Sequence, residues 1–314
     1  MSSFIVSANA VLPMFLLIVI GLALRRFVLL KEKAALALNN IVFVVLIPAF
    51  LFNNLRNAEM GSVLNPVFIV FTVGCCLGVW GLAALIAKGG LSDPRQKGAF
   101  IQGMARSNFI LFGLPLYINL YGSDQAGLIS LVAAVITPLY NFLAVVVLET
   151  FRPNPTEKHG ILRGIITNPL IISSAAGVVF MIFRIPLPAF VDNALTSLSS
   201  AATPMALVVL GALLVPSKMK ERLWPLGIAV AGKLVIIPAL TLLPAIAIGF
   251  RGYELAALVA LFASPSAVAS FVMAAKMDSD RDLAGQIVVF STLLSAVTVF
   301  LWIYCLHLFG LLVI

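Results

Sequence analysis

The sequence predicts an all-α integral membrane protein: ten transmembrane helices in two inverted five-helix repeats, with spans 4 and 9 broken. Three observations lead there. The 314 residues are 62% hydrophobic and only 10% charged, with a mean hydropathy of +1.13, whereas a soluble domain is about 45–50% apolar and about 25% charged. Fifteen loop cations fall on one side of the apolar segments and three on the other. Two of the apolar segments are interrupted in their middles by residues that break helices.

Taken in order, apolar segments lie at 6–24, 36–55, 66–87, 99–120, 126–149, 164–183, 194–215, 225–249, 254–275 and 285–306. At roughly 20 residues per span they use most of the chain, which leaves short loops and no room for a soluble domain. The small-residue triplet Ala8-Asn9-Ala10 precedes the first apolar run instead of following it, so that run is expected to be a retained span and not a cleaved signal. The cation-rich loops include Arg25, Arg26, Arg95, Arg152 and Arg281, while Arg56, Arg184 and Arg251 lie opposite. Cytoplasmic loops carry the excess of Lys and Arg, so both termini are expected outside, in an inner (plasma) membrane protein.

An odd number of spans per half requires the halves to enter the membrane in opposite senses. Prolines recur in step: Pro13 with Pro169, Pro48 with Pro204 and Pro115 with Pro265. The expected division is a first repeat over 1–150, a cytoplasmic linker over 151–163 and a second repeat over 164–314. The net charge of +8 is spread singly over segment ends, a pattern of topology and lipid contact that does not form a nucleic-acid-binding stripe. Cys75, Cys76 and Cys305 sit in apolar segments without CxxC spacing, and neither a disulfide framework nor a metal site follows. No phosphate-cradling glycine loop, HExxH or GxSxG is present, so no enzyme and no cofactor is expected.

The first break is Arg106-Ser107-Asn108-Phe109-Ile110-Leu111-Phe112-Gly113-Leu114-Pro115, and the second centres on Ser264-Pro265-Ser266. Irregular backbone survives at membrane depth only inside protein or beside a watery cavity. Paired interruptions of this kind point to the binding site of a secondary transporter. Proline suits the first turn of a helix and serine the position before it, so Ser264-Pro265 is expected to restart a half-helix. Gly113 would close a half-helix and Pro115 start the next. Each restart presents free N–H groups with partial positive charge, which is an anion site made of backbone.

Asn108 offers both a donor and an acceptor near mid-span; it either contacts substrate or holds helices together. Ser107, Ser264, Ser266 and Ser270 either join it or bond back to their own helices. Arg106 and Lys233 are the two cations within spans. Each either snorkels toward the interface or draws a carboxylate inward. Lys233 is the coupling candidate, because lysine, unlike arginine, can give up its proton when buried. None of the twelve acids lies near a midplane. Asn39, Asn40, Asn53 and Asn54 fall near the ends of span 2, Asn141 falls deeper, and Gly74 and Gly78 have the GxxxG spacing of close helix packing.

At these residues the chain resembles the auxin efflux carrier family, whose bacterial members include proteins assigned as malonate and malate carriers. The matching stretches are Arg-Ser-Asn-Phe-Ile-Leu-Phe-Gly-Leu-Pro-Leu at 106–116, Pro-Leu-Tyr-Asn-Phe-Leu-Ala-Val at 138–145 and Asn-Pro-Leu-Ile-Ile at 168–172. Thr-Pro-Met-Ala-Leu-Val-Val-Leu-Gly-Ala at 203–212, Lys-Leu-Val-Ile-Ile-Pro at 233–238 and Pro265 match as well. The resemblance implies a fold similar to bile-acid symporters and sodium/proton antiporters, with the broken helices of spans 4 and 9 crossing. Spans 1, 2, 6 and 7 would form a scaffold, spans 3–5 and 8–10 a moving domain, and the substrate carboxylate would lie near Asn108, Pro115 and Pro265. The long cytoplasmic loop of plant auxin carriers is absent, and Cys75-Cys76 stand where plant relatives carry an aspartate, so auxin and its coupling mechanism are not carried over.

The expectation is therefore a secondary or facilitative carrier of a small organic anion, a mono- or dicarboxylate, working by elevator-type alternating access. Its partners would be that anion and the lipid bilayer, with no nucleic acid, and a homodimer is admitted. A sodium-coupled symporter resembling bile-acid carriers and a non-transporting receptor or assembly subunit are the alternatives.

Overall fold

The computed structural model describes residues 2–27, 29–57, 65–122, 126–153, 166–213 and 222–312. Twelve helices account for most of them. The first are α1 (Ser2–Arg26), α2 (Glu32–Arg56), α3 (Pro66–Gly90), α4 (Pro94–Ala105), α5 (Phe109–Tyr121) and α6 (Ala126–Thr150). The others are α7 (Pro169–Phe183), α8 (Ala189–Leu213), α9 (Leu223–Ile248), α10 (Gly252–Phe262), α11 (Val268–Lys276) and α12 (Arg281–Leu308). Among the described residues α2, α3, α6, α8, α9 and α12 are long and apolar enough to cross a membrane. The chain is an all-helical, multi-pass membrane protein. Most of the expected linker, residues 154–163, lies outside the described residues.

Local sequence explains several helix starts. Asn65, Asp93 and Asn168 each precede a proline, and each side chain accepts an N–H of the first turn of α3, α4 or α7. Asp280 does the same for Leu283 at the start of α12. A capping oxygen followed by proline satisfies one orphan donor and removes another.

Prolines inside helices shape the rest. Pro48, Pro115 and Pro238 each follow a π-turn: Val42–Leu46 in α2, Phe109–Gly113 at the start of α5, and Gly232–Ile236 in α9. In each case the residue before the proline donates to the carbonyl five back, as Ile237 does to Gly232. The wider turn makes room for a ring that would clash with the carbonyl four back. The matched prolines are not equivalent in structure. Pro13 lies within α1 while Pro169 begins α7, and Pro204 lies within α8 without the π-turn that precedes Pro48.

Close packing centres on glycines, though not on the expected ones. A Cβ at Gly21 would stand 2.1 Å from the Val208 carbonyl oxygen, and one at Gly211 would stand 2.0 Å from that of Ile18. α1 and α8 therefore cross backbone to backbone. Gly177 of α7 similarly abuts Leu55 and Phe52 of α2, where Phe52 and Phe180 meet edge to face at 5.0 Å. Gly74 and Gly78 have nothing within 4 Å of where a Cβ would be. Their spacing marks an exposed face of α3, not a seam.

One end of the molecule gathers the paired loop charges. Arg222 binds Asp280 at 2.7 Å, Arg281 binds Glu32 at 2.6 Å and Arg152 binds Asp278 at 2.6 Å, while Arg95 gives its carbonyl to Ser279 and Asp280. The Asp278 carboxylate holds the Arg152 guanidinium above its ordinary pKa. The opposite end carries the Arg56–Asp192 pair and the bond from Asn65 to Glu254.

Candidate functional site

α4 stops at Ala105. Arg106 turns extended (φ −80°, ψ 121°), donating its own N–H to Gln102 as the last helical bond. Ser107 then lies antiparallel to Ser266, with the Asn108 N–H on the Pro265 carbonyl at 2.8 Å and the Ala267 N–H on the Arg106 carbonyl at 3.2 Å. Each break supplies the partners that the other lacks. Pro265, having no N–H, serves here as an acceptor only. Around this bridge α4 packs on α11 and α5 on α10. Gln102 donates to the Ser270 carbonyl at 3.1 Å, and Gly113 brings α5 to within 2.3 Å of the Ala260 oxygen, measured from where a Cβ would sit.

The restarts differ from the expected ones. The second half-helix begins at Val268, after Ala267 in extended geometry, and not at Pro265. Ser264 is not a cap: its hydroxyl donates back to the Ala260 carbonyl. The first restart is at Phe109, upstream of Pro115, with Asn108 at the cap position. Gly113 is therefore a point of close approach and does not close a helix. Pairing across the breaks keeps 106–108 and 264–267 out of helix, with Arg106 and Ala267 extended, and helix resumes only beyond them.

Neither restart has a side-chain cap, in contrast to α3, α4, α7 and α12. The first N–H groups of a helix have no acceptor within it. Those of α5 and α11 border one cavity, which offers about 70 Å³ to the centres of water molecules. Asn108, Phe109, Ile110 and Leu111 line it on one side, Ala267, Val268 and Ala269 on another, and Arg106 and Ser107 contribute from the bridge. Thr137 and Tyr140 of α6 and Thr203 of α8 add hydroxyls, while Ile47, Phe50 and Leu51 of α2 supply an apolar wall. Among the described residues no carboxylate lines it. Asn108 Nδ2, Ser107 Oγ and Tyr140 Oη are buried without a hydrogen-bond partner among the described residues. Buried polar groups are nearly always paired, and these three unpaired atoms belong to residues that line one cavity.

Arg106 is only 5% exposed and does not snorkel. Its guanidinium donates to Asn141 Oδ1 at 2.5 Å and Gln102 Oε1 at 3.4 Å, with Met273 Sδ at 2.7 Å. Asn141 passes the chain on to Ser174 of α7 at 2.9 Å. Lys233 is also buried and does not snorkel; its ammonium donates to the Phe262 carbonyl at 3.4 Å, the last residue of α10. A cation there offsets the negative end of that half-helix. The neighbouring Leu234 carbonyl, in the π-turn, accepts from Trp302 at 3.0 Å.

Of the residues singled out in the sequence, the cavity brings together Arg106, Ser107 and Asn108. Gly113, Pro115, Ser264, Pro265, Ser266 and Lys233 do not line it; Ser264, Ser266 and Lys233 are buried outside it, and Pro115 is exposed. Ser266 gives its N–H to Ser291 of α12 at 3.0 Å. Sequence reasoning missed Thr137, Tyr140 and Thr203. The signal for the first two was their three-residue spacing astride Pro138, which puts both on one helix face. It also undervalued Asn39, which is buried and donates to the Val272 carbonyl of α11 at 3.3 Å.

An all-helical membrane protein with two broken helices and a cationic, acid-free cavity at their junction belongs in form to the membrane transporters. Comparison with known proteins gives the family. A family model described as membrane transport protein matches residues 6–161 and 156–303, and the chain belongs to that family, the auxin efflux carriers. It is 26% identical to an uncharacterized transporter of Methanocaldococcus jannaschii, over 94% of this chain and 97% of that protein. A second uncharacterized transporter, from Methanothermobacter thermautotrophicus, is also 26% identical, over 95% and 98%. A Rhizobium meliloti protein named "Putative malonate transporter" is 29% identical over 92% of each chain. The protein is a membrane transporter and not an enzyme.

Proposed function

We propose that this transporter carries a small organic anion, a mono- or dicarboxylate, bound between the N-termini of α5 and α11. The observation that carries the reading is the convergence of two uncapped helix starts and the unpaired Asn108 amide on one cavity without acids. Free N–H groups and the positive ends of helix dipoles favour a carboxylate. The name of the Rhizobium relative points to the same chemistry.

In this reading α4–α5 and α10–α11 are the broken spans 4 and 9 of a ten-span fold, two inverted repeats over 1–150 and 164–314 with both termini outside. The glycine crossings that lock α1 to α8 and α2 to α7 suit a scaffold. The bridged half-helices suit a domain that moves past it, elevator fashion, with the anion aboard. Glu149 and Glu254, the span-end acids, pair with Arg152 and Asn65, which leaves Lys233 as the group through which protons could act.

The test is uptake of radiolabelled malonate, succinate and butyrate into proteoliposomes, with and without a sodium gradient. Uptake of at least one, lost in Asn108→Ala, is the expected result. Sodium dependence would favour the symporter alternative, and normal transport by Asn108→Ala would remove the crossover from the mechanism.

A further inference from the structure

A second cavity, of about 170 Å³ by the same measure, lies beside the first. The same three helices wall both. α2 lends Ile47, Phe50 and Leu51 to the crossover cavity, then Asn53 and Asn54 to the second, with Asn57 just past its end. α6 lends Tyr140 and Thr137 to the first, then Ala133 and Ser130 to the second. Their spacing of three and four residues is one continuous helical stripe, about 15 Å long at 1.5 Å per residue. Ile110 of α5 lines both cavities. Asn57, which lines the second cavity, is exposed. Phe100, Met104 and Phe271 are fully buried, Met104 against Gly232 of α9 and Phe271 against Gly285 of α12.

We propose that the asparagine-lined cavity is the vestibule from which a small anion reaches the crossover, and that Ile110 is the partition between them. The proposal rests on the transport reading above. The vestibule's chemistry suits an anion still carrying water. Arg56 donates to Asn53 Oδ1 through two nitrogens, at 3.1 and 2.9 Å. That bond commits the amide's acceptor side and leaves its N–H groups for a carboxylate. Asn54 gives an N–H to the Phe50 carbonyl at 2.7 Å and Asn57 one to Asn53 Oδ1 at 3.4 Å, so the Asn53 amide is the principal donor; the Arg56 charge is engaged by Asp192 and does not trap what passes.

Cysteine accessibility tests this without knowing the transported anion. In a background with Cys75, Cys76 and Cys305 replaced by alanine, shown to fold by gel filtration and thermal melting, Ser130→Cys and Thr137→Cys are introduced singly. The probe is 2-sulfonatoethyl methanethiosulfonate, itself a small anion. Ser130→Cys should react quickly whatever occupies position 110. Thr137→Cys should react at least tenfold faster when Ile110→Ala is added, and at least tenfold slower with Ile110→Trp. Equal Thr137→Cys rates in all three backgrounds would overturn the partition, and an unreactive Ser130→Cys would overturn the vestibule. If Ile110→Trp does not fold, Ile110→Ala decides alone. A failure here leaves the malonate, succinate and butyrate experiment standing, and failed uptake leaves the labelling result standing.

Discussion

Replacing Gly211 by alanine probes the α1–α8 crossing directly. The added methyl would lie 2.0 Å from the Ile18 carbonyl oxygen, whereas ordinary contacts begin near 3.4 Å, so the helices must part by about 1.4 Å. The atom in the way is backbone and cannot rotate aside. Overpacking of this kind costs about 1–3 kcal/mol, against about 0.5–1 kcal/mol returned by alanine's better helix propensity. In lipid the loss is not masked by a hydrophobic drive, because helices associate there through van der Waals contact. The net is a destabilisation of up to about 2.5 kcal/mol, centred near about 1 kcal/mol, and each kcal/mol moves the melting temperature of a chain this size by about 2–4 °C. Gly74→Ala is the control, since that position meets nothing within 4 Å and should melt at or slightly above the wild type. The assay is thermal denaturation in detergent followed by fluorescence-detected gel filtration. If Gly211→Ala melts together with Gly74→Ala, the crossing is looser than drawn and the argument for a locked α1–α8 pair fails.

Other outcomes follow from the site. Asn108→Ala should weaken carboxylate binding roughly ten- to a hundredfold, the value of a hydrogen bond to a charge, while leaving the ligand-free melting temperature unchanged or raised, because Asn108 Nδ2 is unpaired; calorimetry and melting curves check both. Asn141→Ala removes the shortest acceptor of Arg106 and should cost about 1–3 kcal/mol, partly recovered by adding Arg106→Met, which a double-mutant cycle measures. Lys233→Gln should flatten whatever pH dependence transport has, while Glu149→Gln and Glu254→Gln should leave it intact, read from uptake at graded pH. Gly122→Cys should label from outside and Pro153→Cys only after permeabilisation.

The membrane class, the two breaks and Asn108 were legible because each breaks a rule that lipid enforces on the chain. Where helices resume was not legible, because it depends on pairing between segments far apart in sequence. Local preference puts a helix start at Ser264-Pro265, and the bond from Asn108 to the Pro265 carbonyl overrides it. The glycine spacing at 74 and 78 was visible, but a spacing does not say what stands opposite. The seam instead joins Gly21 and Gly211, one glycine from each half of the chain. Thr137 and Tyr140 share a face in any helical reading, yet only the packing of α2, α5 and α6 makes that face a cavity wall.

The two-bond bridge between Ser107 and Ser266 also bears on how the protein is made. The Arg106 carbonyl and the Asn108 N–H find their partners at Ala267 and Pro265, about 160 residues further along the chain. At about 5–20 residues per second, synthesis takes on the order of ten to thirty seconds to supply them. Through that interval the first half must sit in the bilayer with open backbone groups, each costing several kcal/mol in lipid. A chain ending after α6 should therefore be held by the insertion machinery or degraded, and co-expression with residues 151–314 should rescue it. The two halves are inserted one after the other but can be completed only together.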